Sequence, residues 1–297
     1  MLWKELSVTC LKANLEILED YLLMQGACSV TYQDAKDQPI LEPKAGENPL
    51  WDEVVLVALF TEEYQLSDIV TSLDESALKP NIIGDIHTRE FADQDWTRMW
   101  MDDFKPMQFG RRLWIYPSWC IPEIHSDDQV NILLDPGLAF GTGTHQTTAL
   151  CLKWLEQYVT AKDHVIDLGC GSGILAVAAK KLGAHDVIAI DNDPQAILAT
   201  HANAEKNGIN ANFTAYLPDE APKSVKADIL IANILAGILI DLKEVIADFV
   251  KPHGKLALSG ILQEQVDDII KAFSPYFVLN EPAFKDEWTL ISGIRKP

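Results

Sequence analysis

The residues that could do chemistry in this chain are concentrated around one glycine-rich stretch, VIDLGCGSG, at residues 165–173. Its glycines, Gly169, Gly171 and Gly173, lie between an apolar run typical of a buried strand and a helical pattern. Glycine is needed where φ is positive or where a ligand must touch the main chain, and a helix N-terminus offers unpaired N–H groups. Asp191 follows about 20 residues later, where a carboxylate can accept both hydroxyls of a ribose. Together these features predict a site for an adenosine-containing ligand; a purely structural turn is the alternative.

The spacing of the glycines bears on which adenosine compound would bind. Dinucleotide sites have the pattern G-x-G-x-x-G, with a pyrophosphate at the helix end. Here the pattern is G-x-G-x-G, and Asp167 lies two residues before its first glycine. A carboxylate at that place opposes a pyrophosphate but attracts an ammonium or a sulfonium group, and S-adenosylmethionine carries both. We therefore expect S-adenosylmethionine, bound by the glycine turn with Asp167 and Asp191; a nicotinamide oxidoreductase is the rival hypothesis.

A further candidate group is an amide at the end of a later strand. The run ADILIANILAG, residues 227–237, places Asn233 just after a hydrophobic stretch. An amide oxygen there can accept a hydrogen bond from an amine while backbone carbonyls accept another, which directs the nitrogen lone pair at a methyl group. Asn233 is therefore the candidate catalytic residue. The alternatives are a cap for the following helix, and methylation of an adenine amino group, which an asparagine at this place also suits.

A second glycine-rich stretch, LDPGLAFGTGTHQTT at residues 134–148, precedes a helical pattern. No Gly-Lys-Ser/Thr follows its glycines, so it is not a phosphate-binding P-loop. The glycines allow the backbone to approach a ligand closely. His145 in this loop could act as a base, but we expect it to be a hydrogen-bond partner instead.

The elements that must position these groups belong to the second of two predicted domains, residues 107–297. From Trp114 onward, apolar strand patterns alternate with helical patterns, and the chain closes with two strand-like runs, YFVLNEPAF and WTLISGIR. This alternation predicts an α/β fold: a doubly wound parallel sheet with helices on both faces and an antiparallel hairpin at the C-terminal end.

The first 88 residues follow a different plan. Their pattern is strand, helix, strand, strand, helix, strand, which predicts an α+β domain of the ferredoxin-like kind over residues 1–88. It contains few groups that could do chemistry, so we interpret it as a binding module. Residues 89–106 carry Trp96, Trp100 and Phe104 at i, i+4 and i+8, a spacing that predicts a helical linker.

The composition argues for a cytoplasmic protein without a metal centre. No apolar run reaches the roughly 20 residues that span a bilayer, and the N-terminus lacks the apolar core of a signal peptide. Five cysteines without a CxxC pair indicate free thiols rather than disulfides or zinc.

The formal net charge of −20 bears on the choice of partner. Such a surface repels nucleic-acid phosphates, so we expect no direct binding to nucleic acid and no membrane association, and a basic protein as the partner. Residues 1–88 carry 5 lysines and no arginine against 16 carboxylates, which places much of the charge in the predicted binding module. Solubility alone is the competing explanation.

Several motifs in residues 107–297 resemble those of known protein families. Asp167 and the three glycines match the first motif of the class I S-adenosylmethionine-dependent methyltransferases, and Asp191 matches their ribose-binding acid. More narrowly, DPGLAFGTGTHQTT, VIDLGCGSGILAVAAKKLGA, AIDNDPQAI, NILAG and LSGIL look like the family that methylates large-subunit ribosomal protein L11. The match covers the catalytic half almost continuously. The acidic first domain and the DWTRMWMDDFKP segment also resemble that family, less specifically.

The resemblance implies a fold, a reaction and a set of site residues. It implies a class I methyltransferase domain with a Rossmann-like sheet, S-adenosylmethionine as cofactor, and trimethylation of the α-amino group and lysines of ribosomal protein L11. The N-terminal domain would recognise that substrate. The family's binding positions fall here on Thr148, Gly169, Asp191 and Asn233. The loop of residues 134–148 would close over the methionine end of the cofactor, with Thr148 touching it.

Overall fold

The computed structural model of the protein describes residues 2–36, 38, 49–92, 105–124, 126–135, 145–222 and 224–297. The chain divides into two compact units, Met1–Trp100 and Met101–Pro297. Within the described ranges, no helix combines the length and the apolar character that crossing a bilayer requires. All five cysteines are free thiols.

The first unit is a four-stranded antiparallel sheet with two helices, in the chain order that the sequence predicts. Its elements are β1 (Leu2–Leu11), α1 (Leu15–Met24), β2 (Ser29–Asp34), β3 (Glu53–Thr61), α2 (Leu66–Glu75) and β4 (Ile82–Ala92). The strands lie in the order β2-β3-β1-β4, with each pair antiparallel. Alternate residues of β1 and β3 are buried, from Leu6 to Cys10 and from Val54 to Phe60, because period-two patterns turn one face of a sheet to the core.

The end of this unit differs from the prediction. Arg89–Ala92 continue β4 rather than beginning a helical linker, since Arg89 lies opposite Glu5 in the ladder with β1 and donates to its carboxylate at 2.7 Å. This cross-strand ion pair favours an extended backbone. The aromatic residues of the predicted linker, Trp96, Trp100 and Phe104, lie outside the described residues.

The second unit is built on an eight-stranded, mainly parallel sheet. Its elements are β5 (Met107–Phe109), β6 (Leu113–Tyr116), β7 (Val130–Leu133), α3 (Gln146–Tyr158), β8 (His164–Leu168), α4 (Ile174–Lys181), β9 (Asp186–Ile190), α5 (Pro194–Lys206), β10 (Phe213–Tyr216), β11 (Ala227–Asn233), α6 (Ala236–Asp241), α7 (Lys243–Phe249), β12 (Val250–Leu262), α8 (Val266–Phe273), β13 (Phe277–Leu279), β14 (Ala283–Lys285) and β15 (Trp288–Arg295). The large sheet has the order β10-β9-β8-β11-β12-β15-β13, with β14 beside β15. The five neighbouring strands β10, β9, β8, β11 and β12 run parallel to one another. Strand β15 is antiparallel to each strand it pairs with, β12, β13 and β14.

The central strands are apolar on both faces, which is why they read as continuous hydrophobic runs. Ile229, Leu230 and Ile231 of β11 are all fully buried, and they divide between two core clusters. Parallel strands covered by helices on both sides require this composition. The predicted doubly wound sheet with a C-terminal antiparallel hairpin is therefore confirmed.

Two details were not predicted. Residues 236–249 form two helices, α6 and α7, because Leu242 leaves the helical conformation between them. In addition, β5, β6 and β7 form a small separate sheet.

The strand order places a ligand site at one edge. From β8 the chain adds β9 and β10 on one side and then β11 and β12 on the other, so the order reverses between β8 and β11. Open α/β sheets bind ligands at the carboxyl ends of the strands that flank such a switch point.

The side chain of Asn207, just after α5, fixes the end of β7. Its Oδ1 accepts the Leu133 N–H and its Nδ2 donates to the Leu133 carbonyl, both at 2.8 Å. Asn207→Ala leaves two main-chain groups without partners, so we expect the free energy of unfolding to fall by about 1–3 kcal/mol in urea titrations followed by circular dichroism. Asn207→Asp keeps the acceptor but turns an oxygen toward the Leu133 and Asn203 carbonyls, so it should not restore the wild-type stability. Equal stability of the alanine variant and the wild type would contradict this role.

Candidate functional site

The glycine turn after β8 is the centre of the candidate site. Gly169, Gly171 and Gly173 have φ values of +74°, +53° and +77°, in the left-handed region that favours glycine. The N–H groups of Gly169 and Cys170 both donate to the carbonyl of Ile190, at 2.8 and 3.2 Å. These bonds tie the turn to the end of β9, the strand that leads into Asp191.

Helix α5 supports the turn. The hydroxyl of Thr200, a fully buried residue, donates to the carbonyl of Gly171 at 3.2 Å, and the Asn203 amide donates to the carbonyl of Ser172 at 2.8 Å. A Cβ on Gly173 would lie 2.7 Å from the Thr200 hydroxyl oxygen, so the third glycine allows this helix to pack closely. The sequence patterns did not indicate a role for Thr200 and Asn203. Their spacing of three residues, which places both on one face of a helix, was the only sign that they could act together.

Asp191 is the first residue after β9 and is partly exposed. Its Oδ2 accepts the N–H of Gly171 at 2.9 Å and its Oδ1 accepts the N–H of Asp193 at 3.0 Å. A carboxylate has about four acceptor positions, so each oxygen can still accept one more hydrogen bond. The two N–H groups therefore orient the carboxylate without saturating it.

Asp167 lies within β8 and is fully buried. Its Oδ2 accepts the N–H of Ala176 at 2.9 Å, whereas its Oδ1 is buried without a hydrogen-bond partner among the described residues. Burial raises the pKa of this carboxyl to about 7; repulsion by Asp191 adds to the shift, and the Ala176 hydrogen bond opposes it. A buried acceptor without a donor is costly, so this oxygen is suited to a ligand that brings a positive N–H group.

Asn233 and Thr148 are brought together from distant parts of the chain. Asn233 is the last residue of β11, and its Nδ2 lies 3.4 Å from the hydroxyl oxygen of Thr148 in the first turn of α3. Thr148 is only 2% exposed, while Asn233 is partly exposed. The amide oxygen of Asn233 accepts no hydrogen bond from the residues that the structure describes. Leu235, not Asn233, precedes α6 as its N-cap, so the helix-cap alternative for Asn233 is not observed.

His145 caps α3. Its Nδ1 accepts the N–H of Thr147 at 3.4 Å, and its ring meets Trp288 edge-on with the centroids 4.8 Å apart. Burial lowers the pKa of this imidazole, which keeps it neutral and able to accept that bond. Residues 136–144, the rest of the predicted cofactor loop, lie outside the described residues.

The same edge of the sheet holds further polar groups that the sequence analysis missed. Trp288 begins β15 beside His145, and the fully buried hydroxyl of Ser259, next to Asn233 across β11 and β12, donates to the carbonyl of Thr289 at 2.9 Å. These residues lie in separate sequence segments, and only strand pairing brings them to the site. Within the described ranges, no group of three histidine, cysteine, aspartate or glutamate side chains is arranged to hold a metal ion.

The raised pKa of Asp167 predicts a pH-dependent instability of the ligand-free protein. The unfolded chain ionises this carboxyl near its ordinary pKa, while the folded chain keeps it protonated up to about 7, so stability falls as the pH rises between these values. Asp167→Asn stays neutral at every pH. Relative to wild type, we expect the variant's free energy of unfolding to rise by on the order of 2 kcal/mol from pH 5 to pH 8, measured by urea titration without ligand. A difference that is flat with pH would refute the shift.

Comparison with known proteins identifies the family. A model of the family described as ribosomal protein L11 methyltransferase (PrmA) matches residues 2–296. The ribosomal protein L11 methyltransferases of Shewanella woodyi and Shewanella denitrificans are 51% and 50% identical to this chain, each over 100% of both chains. A crystal structure of ribosomal protein L11 methylase from Lactobacillus delbrueckii subsp. bulgaricus matches with 34% identity and a TM-score of 0.60, covering 65% of this chain and 100% of that one. The chain belongs to the ribosomal protein L11 methyltransferase family.

Proposed function

We propose that this protein transfers methyl groups from S-adenosylmethionine to amines of large-subunit ribosomal protein L11. The observation that carries the proposal is the buried Oδ1 of Asp167 beside the glycine turn, at the switch point of the sheet, which has no hydrogen-bond partner within the described ranges. Family membership and the names of the relatives support the same reaction and substrate.

The residues of the turn fit S-adenosylmethionine better than a dinucleotide. Asp167 can accept from the ammonium group of the methionine part, and Asp191 can accept from the two ribose hydroxyls with its remaining lone pairs. A pyrophosphate at the glycine turn would face the Asp167 carboxylate and be repelled. When bound, S-adenosylmethionine supplies a methyl group on a positively charged sulfur, which makes the methyl carbon electrophilic.

The amine is oriented by Asn233. Its Nδ2 is engaged by Thr148, so the amide oxygen is the atom left to accept an N–H of the substrate amine. That bond turns the nitrogen lone pair toward the methyl carbon, and holding both reactants in line contributes most of the catalysis. The new N–C bond forms as the S–C bond breaks, and the amine proton leaves to solvent.

The substrate amine must be neutral before it can react. An α-amino group has a pKa of about 7.7–8.0, whereas about one lysine in a thousand is neutral near pH 7.4 because its pKa is about 10.4. Because of this high pKa, forming the neutral amine near pH 7.4 costs lysine on the order of 4 kcal/mol. Desolvation of the amine at the site lowers its pKa and offsets part of that cost.

The finer parts of the proposal rest on the resemblance and on charge. We infer a trimethylated product on the α-amino group and on lysines, a cytoplasmic location, and no direct binding to nucleic acid. We also infer that residues 1–88 recognise the substrate and that residues 107–297 carry the chemistry. The excess of carboxylates over lysines in the first unit suits a basic protein partner.

The proposal predicts a specific labelled product. With labelled S-adenosylmethionine and undermethylated ribosomal proteins, we expect the label on L11, located by mass mapping. Asn233→Ala should lower kcat by about 100- to 1,000-fold, because the amine loses its acceptor, with calorimetric affinity for S-adenosylmethionine little changed. Asn280→Ala, which removes a partly buried hydrogen bond to Ser292 outside the candidate site, is the control and should stay active. Label on RNA, or no binding of S-adenosylmethionine, would refute the proposed function.

Two variants of His145 distinguish whether this residue acts as a helix cap or as a general base. The rate of methylation should rise steadily toward alkaline pH as the amine loses its proton, without a step that belongs to His145. His145→Asn keeps a side chain that caps helices well, whereas His145→Ala does not. We expect the asparagine variant to retain the wild-type rate and pH profile within about threefold and the alanine variant to lose about 1 kcal/mol of stability. If both variants lost activity alike, His145 would be the base.

A further inference from the structure

The motif LSGIL, residues 258–262, has no role in the proposed reaction, and the structure shows what it does locally. It lies in β12, which runs parallel to β11 with Ser259 beside Asn233. Between Leu258 and Ile261 the register with β15 shifts by one residue, so β12 contains a bulge. Gly260 lies in this bulge with φ of +82°.

Gly260 allows the main chain after Asn233 to pass directly against β12. A Cβ on Gly260 would overlap the carbonyl oxygen of Ile234 and lie 2.8 Å from its carbonyl carbon and 3.1 Å from its nitrogen. These are backbone atoms, so they cannot yield by a side-chain rotation. Any side chain at position 260 must therefore push the Ile234 backbone away.

The other side of Ile234 meets the cofactor turn. A Cβ on Gly169 would overlap Cγ2 of Ile234, so the side chain fills the space that the missing Cβ leaves. Ile234 is thus held on one side by its side chain against the glycine turn and on the other by its backbone against the bulge. Both contacts depend on glycines with positive φ: Gly169 directly follows β8 and Gly260 lies in β12, and these two strands flank β11.

We propose that Ile234 and Gly260 are positioning residues for methyl transfer, which fix the distance from the Asn233 amide to the glycine turn. This inference rests on the proposed function. Reacting atoms must lie about 3–3.5 Å apart, and a misplacement of about 1 Å can lower the rate by about 100-fold. A Cβ at position 260 demands a shift of that order in the backbone of Ile234, the residue next to Asn233.

The main test compares two glycine-to-alanine variants. Gly208 also has positive φ, +71°, but a Cβ there would meet nothing within 4 Å, so Gly208→Ala carries the backbone strain without the overlap. We expect Gly260→Ala to lower kcat by about 100-fold, with the KM for L11 and the calorimetric Kd for S-adenosylmethionine changed by less than about threefold. Gly208→Ala should keep kcat within about threefold of wild type.

A second pair of variants tests the side-chain contact and decides the matter if Gly260→Ala does not fold. Valine retains the Cγ2 that meets Gly169, whereas alanine does not. We therefore expect Ile234→Val to stay within about threefold of the wild-type kcat, and Ile234→Ala to lose about tenfold with cofactor affinity retained.

The outcomes that overturn the inference are distinct from those that overturn the function. Equal kcat for Gly260→Ala and Gly208→Ala, or for the two Ile234 variants, would show that the distance is not set here. A loss of cofactor affinity in step with kcat would show a general disturbance of the turn instead. A wild-type protein that binds no S-adenosylmethionine or leaves L11 unmodified would refute the proposed function and, with it, this inference.

Discussion

The candidate site depends on one constraint, a carboxyl group buried in the middle of a mainly parallel sheet. Among the described residues, only one of its two oxygens has a hydrogen-bond partner. Asp167 is fully buried in β8 and receives one backbone N–H from α4, and its second oxygen has no hydrogen-bond partner among the residues that the structure describes. Such a group weakens the ligand-free fold, because burying a polar atom costs free energy unless a hydrogen bond compensates its desolvation. A cationic ligand group that completes the hydrogen bonding of Asp167 would remove this cost. The unfavourable burial in the ligand-free protein therefore favours binding of such a ligand.

The rest of the site is arranged so that the main chain, and not only side chains, defines the ligand position. Asp191 is oriented by two backbone N–H groups, and the glycine turn is braced from α5 by Thr200 and Asn203. These contacts fix the turn before any ligand arrives, so little ordering is needed on binding. The segment after Asn233 is fixed in the same way, between the turn and the bulge of β12. Both reactants of the proposed reaction would therefore meet a rigid frame, which is what an alignment-driven reaction requires.

The two units differ in their candidate site residues and in their excess of negative charge. The second unit contains all of the described candidate site residues, whereas the first unit combines an ordinary α+β core with a large excess of carboxylates. An acidic surface repels RNA and attracts basic proteins, and this attraction acts mainly on the rate and specificity of association. The family to which the chain belongs is consistent with a protein substrate of this kind.

The sequence by itself determined the order of the elements, the α/β class of the second unit and the candidate residues around the glycine turn. These are local properties, since strand and helix periodicities and the G-x-G-x-G spacing are written in contiguous residues. It failed at Arg89–Ala92, where pairing with Glu5 across a ladder outweighs a helical pattern. It also did not show that residues 236–249 form two helices, with Leu242 outside the helical conformation between them. Only the tertiary structure decided that Thr148 meets Asn233, that α5 braces the turn, and that Ile234 lies between Gly169 and Gly260. Each of these contacts joins residues that are 29 to 85 positions apart or depends on which strands are neighbours, and strand order is set by packing of the whole sheet rather than by any single segment.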